Sequence, residues 1–291
     1  MKTSKLALIL TLMLTPCRAD ELPHPIRVFY QSHSKLVLRE LGKDVLAKSW
    51  IKIRSVPPHR LVNPDHKILM FEGPELRTIL RGSGLETARY VYAIGSDGYV
   101  AMMPSEVIRN YSAILALRRD SQALTPQLGE QQIVFPTEET AAVPEIFRRK
   151  SDFWAWYVRA VIVGDLPDSL SVGKRQISMA KVGKALASVR YVPPSITRVT
   201  DRPCPPVVEL PLSRVPGLQG AATIEVKNLY NDAKSVLPSK GFRLLRASAP
   251  KGIPVDCGGP FILVKPERAA VHGEYAPDDL LYFVFRIDRA P

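Results

Sequence analysis

Four groups of side chains in this 291-residue chain are of types that do chemistry. Asp97 lies in Gly95-Ser96-Asp97-Gly98, where a carboxylate flanked by glycines is free to face a ligand. Arg148, Arg149 and Lys150 place three cations in a row, the donor set an oxyanion asks for. Trp154 and Trp156 alternate, so on a strand their rings share one face and could stack on a flat molecule. Cys204 and Cys257 could bond to each other or act as thiols. Each also has a plainer role. Asp97-Gly98 is an ordinary hairpin turn signal, the cation run an ordinary solvated one, and the tryptophans ordinary core.

Other chemistries are excluded by spacing. The five histidines, His24, His33, His59, His66 and His272, include no pair one helical turn apart, and His59 and His66 read as solvated loop residues. Gly82-Ser83-Gly84 lacks the further glycine, lysine and helix start of a phosphate-cradling loop. No serine stands between glycines at nucleophile-elbow spacing, and no heme-attachment motif occurs. The chain shows no helix-turn-helix, aromatic-basic RNA-binding or zinc-finger pattern, so nucleic acid is not an expected partner.

The elements that must hold these residues are mostly strands. Val91–Ile94, Gln132–Phe135, Tyr157–Val163, Ile224–Val226, Phe261–Val264 and Leu280–Ile287 are β-branched or aromatic runs bounded by Gly, Pro, Asp or Asn. Pro74–Arg81, with proline near its start and Gly82 after its end, predicts a short helix. Met103–Ile108 opens another. Ile177, Met179, Val182, Leu186 and Val189 form one apolar face against Lys174, Arg175, Lys181, Lys184 and Arg190, which predicts a connecting helix or strand. Pro193-Pro194 and Pro203 to Pro206 predict rigid extended connections. The class is α+β with strands dominant.

The halves also echo one another. Leu85, Ala88, Pro104-Ser105, Leu117-Arg118 and Pro136 recur in order as Leu218, Ala221, Pro238-Ser239, Leu245-Arg246 and Pro266. Trp156-Tyr157-Val158 faces Tyr282-Phe283-Val284.

Residues 1–19 have the pattern of a secretory signal: Lys2 and Lys5, an apolar Leu6–Leu14 core too short to span a bilayer, and Cys17-Arg18-Ala19 before Asp20. Cleavage near Ala19 would release a periplasmic protein. It would lower Lys+Arg from 40 to 37 against 28 acids, and the formal charge from +12 to +9. That balance favours anionic ligands, acidic partners or a membrane surface. Cys204 and Cys257 then remain as an even pair in an oxidising compartment, which predicts a disulfide.

In order, Phe71-Glu72-Gly73-Pro74, Ser96-Asp97-Gly98-Tyr99, Ile114-Leu115-Ala116, Ile133-Val134-Phe135-Pro136 and Phe153-Trp154-Ala155-Trp156 resemble the molybdopterin-binding domain of the sulfite oxidase fold, over about Lys35 to Gly164. The resemblance is to periplasmic pterin-binding proteins in particular, because the region ahead of Phe71, where the molybdenum-ligating cysteine should lie, contains none. It implies a strand-rich sulfite-oxidase-like fold with a pterin-binding-like domain at 20–165 and a β-rich half at 166–291, a degenerate second copy carrying the disulfide. It further implies a pterin site among Asp97, Tyr99, Arg109, Arg118, Arg148, Arg149, Lys150, Trp154 and Trp156, with no metal ligand. The carboxylate would pair with the amino-pyrimidine edge, the rings would stack, and the cations would hold an anionic tail. The function implied is binding of a pterin or molybdopterin without catalysis, reported to the periplasmic domain of a membrane signalling protein. The alternatives are a molybdenum-cofactor oxidoreductase with a substituted ligand and a ligand-free structural adaptor.

Overall fold

The computed structural model describes residues 24–33, 35–58, 63–138, 143–149, 153–167, 169–178, 187–194, 196–197, 203–229, 235–248, 253–265, 274–275 and 280–290. Among the described residues four α-helices, none longer than six residues, join a strand-rich fold. In the first half, strands Val100–Pro104, Tyr90–Gly95, Val158–Val163, Arg27–Ser32 and Lys35–Glu40 lie side by side in that order. Their contacts are antiparallel except for the parallel pair Arg27–Ser32 with Val158–Val163. In the second half, Ser235–Pro238, Thr223–Asn228, Leu280–Arg289, Ser169–Val172 and Arg175–Ser178 repeat the same order and the same senses. The second layers correspond too. Trp50–Ser55, Leu69–Pro74, Ile114–Ala116 and Gln132–Val134 are matched by Ala187–Tyr191, Val207–Pro211, Arg243–Ala247 and Phe261–Val264.

Details recur at the echoed residues. Ser105 Oγ donates to the Ala88 carbonyl and Ser239 Oγ to the Ala221 carbonyl. Tyr157 and Phe283, both bulky, adopt φ of +53° and +60°, a conformation such side chains seldom take. Each gives its N–H to a left-handed glycine that ends a 3₁₀ turn, Gly129 or Gly258. A side chain at either glycine would meet the ring residue before the strained one, Trp156 or Tyr282. One echoed match is out of register by a residue: Ala116, opposite Gln132, holds the place of Leu245, opposite Ile262.

The six predicted strands are present. Both predicted helices begin later than expected. Pro74 ends a strand and the helix is Leu76–Ile79, while Met103 is still in a strand and the helix is Ser105–Asn110. Proline lacks the N–H a ladder wants and suits a strand end, so it marks the junction rather than the first turn. At the ends of the basic amphipathic stretch, Arg175–Ser178 and Ala187–Tyr191 are strands; Met179, Val182 and Leu186 lie outside the described residues.

The first-half sheet is apolar on both faces. Val28, Val91, Ala93, Ala101, Met103 and Val161 point into the core that holds Phe71, Phe135 and Trp154. Phe29, Tyr92, Ile94, Met102, Ala160 and Ile162 point the other way and pack on Leu229, Val255, Phe283 and Phe285 of the second half. Ile196–Thr197, also from the second half, adds in parallel to the edge strand Val100–Pro104. Among the described residues no helix is long and apolar enough to cross a membrane.

Cys204 and Cys257 form a disulfide spanning 53 residues of sequence. In the chain-entropy model a loop of that length stabilises the fold by roughly 4 kcal/mol. Urea unfolding of the Cys204→Ser, Cys257→Ser double variant should therefore show a loss of about 2–4 kcal/mol with a raised m-value, because the uncrosslinked denatured chain exposes more surface.

Candidate functional site

The strongest candidate is a cleft of about 420 Å³ lined by Val56, Pro58, His66, Thr137, Glu138, Arg148 and Arg149. Its floor is one polar staple. Ser55, fully buried at the end of Trp50–Ser55, donates to the Phe135 carbonyl and shares a 2.9 Å hydrogen bond with the Thr137 hydroxyl. Thr137 Oγ1 also accepts the Val56 N–H at 2.9 Å. Buried polar atoms left unpaired would cost about 1–3 kcal/mol each, so this three-way bond fixes two strand exits together.

The walls are built on it. Helix Glu145–Arg149 is anchored by buried Phe147, whose ring lies 4.6 Å from Phe153 and 5.0 Å from Phe135. Arg148 reaches from the helix to the Thr137 carbonyl, and Arg149 pairs with Glu145 one turn back. His66 lies within a turn in which Asn63 Oδ1 accepts the Lys67 N–H at 2.9 Å and Asn63 Nδ2 donates to the Lys67 carbonyl at 2.8 Å. The cleft thus sets two guanidinia and an imidazole against one carboxylate, beside the apolar Val56 and Pro58.

The structure distributes the other predicted site residues elsewhere. Asp97 is exposed in the hairpin joining Tyr90–Gly95 to Val100–Pro104, where its Oδ1 accepts the Tyr99 N–H at 3.0 Å. Gly95 is required there, since a side chain would strike Asp97 Oδ1 and the Trp156 carbonyl. Tyr99 and Trp156 are half-buried against the core. Trp154 is within the core, 3% exposed, with its indole N–H on the Phe147 carbonyl and its ring edge-on to Phe71 and Phe135. Arg118 sits on a short strand opposite Glu72. Arg109 spends one guanidinium nitrogen on the Leu85 and Glu86 carbonyls and the Ser105 hydroxyl. Lys150 lies outside the described residues. Of the eight that are described, Arg148 and Arg149 line the cleft. His66, Thr137 and Glu138 were missed: nothing local signals that residues 82 apart, Ser55 and Thr137, will bond.

A second polar network lies in the other half. Tyr275, 1% exposed, donates to Glu209 Oε2 at 2.7 Å, and Arg243 Nη1 reaches Glu209 Oε1 at 3.2 Å and the Tyr275 oxygen at 2.8 Å. Burial first, and then the Glu209 carboxylate, push the Tyr275 phenol up to about 12.

The implied cofactor can be tested against these side chains. The cations of the cleft suit an anionic tail. Both cysteines that follow the signal-like segment are spent in the disulfide, so neither is a thiolate for a metal, and among the described residues no cluster of three His, Cys, Asp or Glu side chains could hold one. The cleft's cations thus suit an anionic group, and neither cysteine of the disulfide is a free thiolate.

No protein-family model matches this chain, and no curated protein matches it. Among solved structures it is similar to the sulfane dehydrogenase SoxCD from Paracoccus pantotrophus at 12% identity and a TM-score of 0.34, over 84% of this chain and 68% of that one.

Thr137→Val should lower stability by about 1–3 kcal/mol in urea unfolding, because it leaves the Val56 N–H without its acceptor and removes one of the two partners of the buried Ser55 hydroxyl, whereas a surface control such as Thr87→Val should not. The raised phenol pKa of Tyr275 stabilises the fold fully below pH 10 and loses that contribution as pH rises toward 12. Tyr275→Phe should accordingly flatten the fall in stability between pH 10 and 12.

Proposed function

We propose that this chain is an exported, non-catalytic binding protein for a pterin or similar small anionic heterocycle, and that it passes the bound state to the periplasmic domain of a membrane signalling protein. In this reading the fold is sulfite-oxidase-like, with the pterin-binding-like unit in the first half and a degenerate second copy in the other. The observation that carries it is the cleft with Arg148, Arg149 and His66 on an apolar ledge of Val56 and Pro58. A flat ring with an anionic substituent needs apolar surface for its face and fixed donors for its charge.

Arg148 is the residue best placed to act. Its bond to the Thr137 carbonyl holds the guanidinium in the cleft before any ligand arrives, so less side-chain entropy is lost on binding. Arg149 would release or share Glu145 to join it. His66 would add a ring nitrogen as a further hydrogen-bonding group. Of the originally expected residues, Asp97 and Trp154 are better explained by the hairpin and the core than by a ligand. The disulfide favours binding over oxo-transfer chemistry of the thiolate-anchored kind, because it removes the two candidate sulfurs.

The test is titration of pterin-6-carboxylate, followed by its fluorescence, into protein purified from the periplasm. We expect saturable 1:1 binding, weakened about 10-fold or more by Arg148→Ala, as loss of a charge-assisted hydrogen bond predicts. No saturable binding, or an unchanged affinity in Arg148→Ala, would overturn the reading.

A further inference from the structure

A larger groove, about 770 Å³, opens on another side of the first half, between helix Leu76–Ile79, the turns after it and helix Ser105–Asn110. We propose that it docks an extended acidic segment of a protein partner.

Its charges come from three separate elements. Arg77 stands on the first helix, Arg81 in the turn that follows, and Arg109 on the second helix, so the cations reach the groove from three stretches of backbone. Cations carried by three stretches of backbone suit a run of carboxylates in an extended chain better than a single small anion. Gly82 and Gly84, in left-handed turns at φ +78° and +80°, put no side chain between them, and even a Cβ at either would meet open space.

The two carboxylates in the groove do not cancel this. Glu75 is 8% exposed and already satisfied: Arg77 Nε lies 2.7 Å from one oxygen and the Thr78 hydroxyl 2.7 Å from the other. Burial alone would raise its pKa, yet the bonds from Thr78, Arg77 and Ser112 together hold it below the ordinary range, so it is a fixed internal charge matched by Arg77. Glu86 then stands alone against Arg81 and Arg109. Arg109 is pre-set, with one nitrogen fixed on the Leu85 and Glu86 carbonyls. Arg81 is exposed, and its turn is braced from beneath by Arg39, which donates to the Arg81 carbonyl at 3.0 Å and to the Ile79 carbonyl.

The matching groove of the second half lacks this readiness. It holds about 430 Å³, and its Arg243 is engaged by Glu209 and Tyr275. A formal charge of +12 over the whole chain would steer an acidic partner toward either; the second groove offers Lys240 beside an engaged Arg243, whereas the first offers the exposed guanidinium of Arg81 beside the pre-set Arg109.

Fluorescence anisotropy with a labelled deca-glutamate peptide tests this at about 0.15 M salt, where remote charges are screened. Wild type should bind saturably, and Arg81→Glu should weaken binding at least 10-fold with its thermal midpoint unchanged. Arg175→Glu, at an exposed position in the second half, should bind as wild type does, as should Arg148→Ala, which separates this groove from the ligand cleft. Absence of binding, or equal losses in Arg81→Glu and Arg175→Glu, would overturn the inference, the second by showing that general positive charge suffices.

Discussion

A sheet with apolar side chains on both faces cannot leave either face in water, and most of this fold follows from that constraint. Strands Tyr90–Gly95, Val100–Pro104 and Val158–Val163 alternate inward residues such as Val91, Ala101 and Val161 with outward ones such as Tyr92, Met102 and Ile162, all 1% exposed or less. Each large side chain so buried contributes about 1.5–3 kcal/mol relative to exposure. The inward set is covered by the first half's own second layer. The outward set is covered by Leu229, Val255, Phe283 and Phe285, with Phe285 meeting Phe29 edge-on at 5.5 Å. The second half is thus a structural necessity for the first, whatever else it does.

The same register shows why packing stops there. Where the first half has Tyr92, Ile94, Ala160 and Ile162, the second has Glu225, Lys227, Arg286 and Asp288 at equivalent places in the ladder. These pair along their strands, Lys227 with Glu225 at 3.6 Å and Arg286 with Asp288 at 2.6 Å. Ser169, Ser171 and Gln176 continue the polar face through their own hydrogen bonds. One face of each repeated unit is thus apolar when it meets another and polar when it meets solvent, as in repeat arrays whose terminal units are polar outside. Lys240 follows the short edge strand Ser235–Pro238 and is exposed, a usual guard against further pairing.

Much of this was legible in the sequence, and its limits are physical. Strands such as Phe261–Val264 declared themselves because buried apolar runs bounded by turn residues have few other readings. The echo between the halves was visible at Ala88 and Ala221 and at Ser105 and Ser239 because each serine bonds the matching alanine carbonyl, so both positions are constrained by one contact. The register error at Leu245 arose where a shared Leu-Arg pair guided the match, while ladder position depends on partners across the sheet. Helix starts were misplaced because Pro74 and Pro104 serve the strand ends as well as the turns after them. The candidate site was hardest to read. Trp154 and Asp97 have the right chemistry, but one is claimed by the core and the other by its own turn, whereas Thr137 and His66 acquire a role only once distant loops are brought together.

That outcome bears on what the cleft is for. The cleft holds one guanidinium, Arg148, on the Thr137 carbonyl and the other, Arg149, on the Glu145 carboxylate, above a rigid polar floor. Helix Glu145–Arg149 carries both arginines and is tied to the rest of the first half by Phe147 in the core and Arg148 on Thr137. A ligand drawing on Arg148 and Arg149 would bind to a short helix whose far side is core, so ordering it would be felt at Phe135, Phe153 and Trp154 before anywhere else. Those rings rest on the inward face of the sheet, and the second half covers the outward face. A bound state would therefore be expressed on the surface of the first half, where the arginine groove also lies, and the second half would stay fixed as its support.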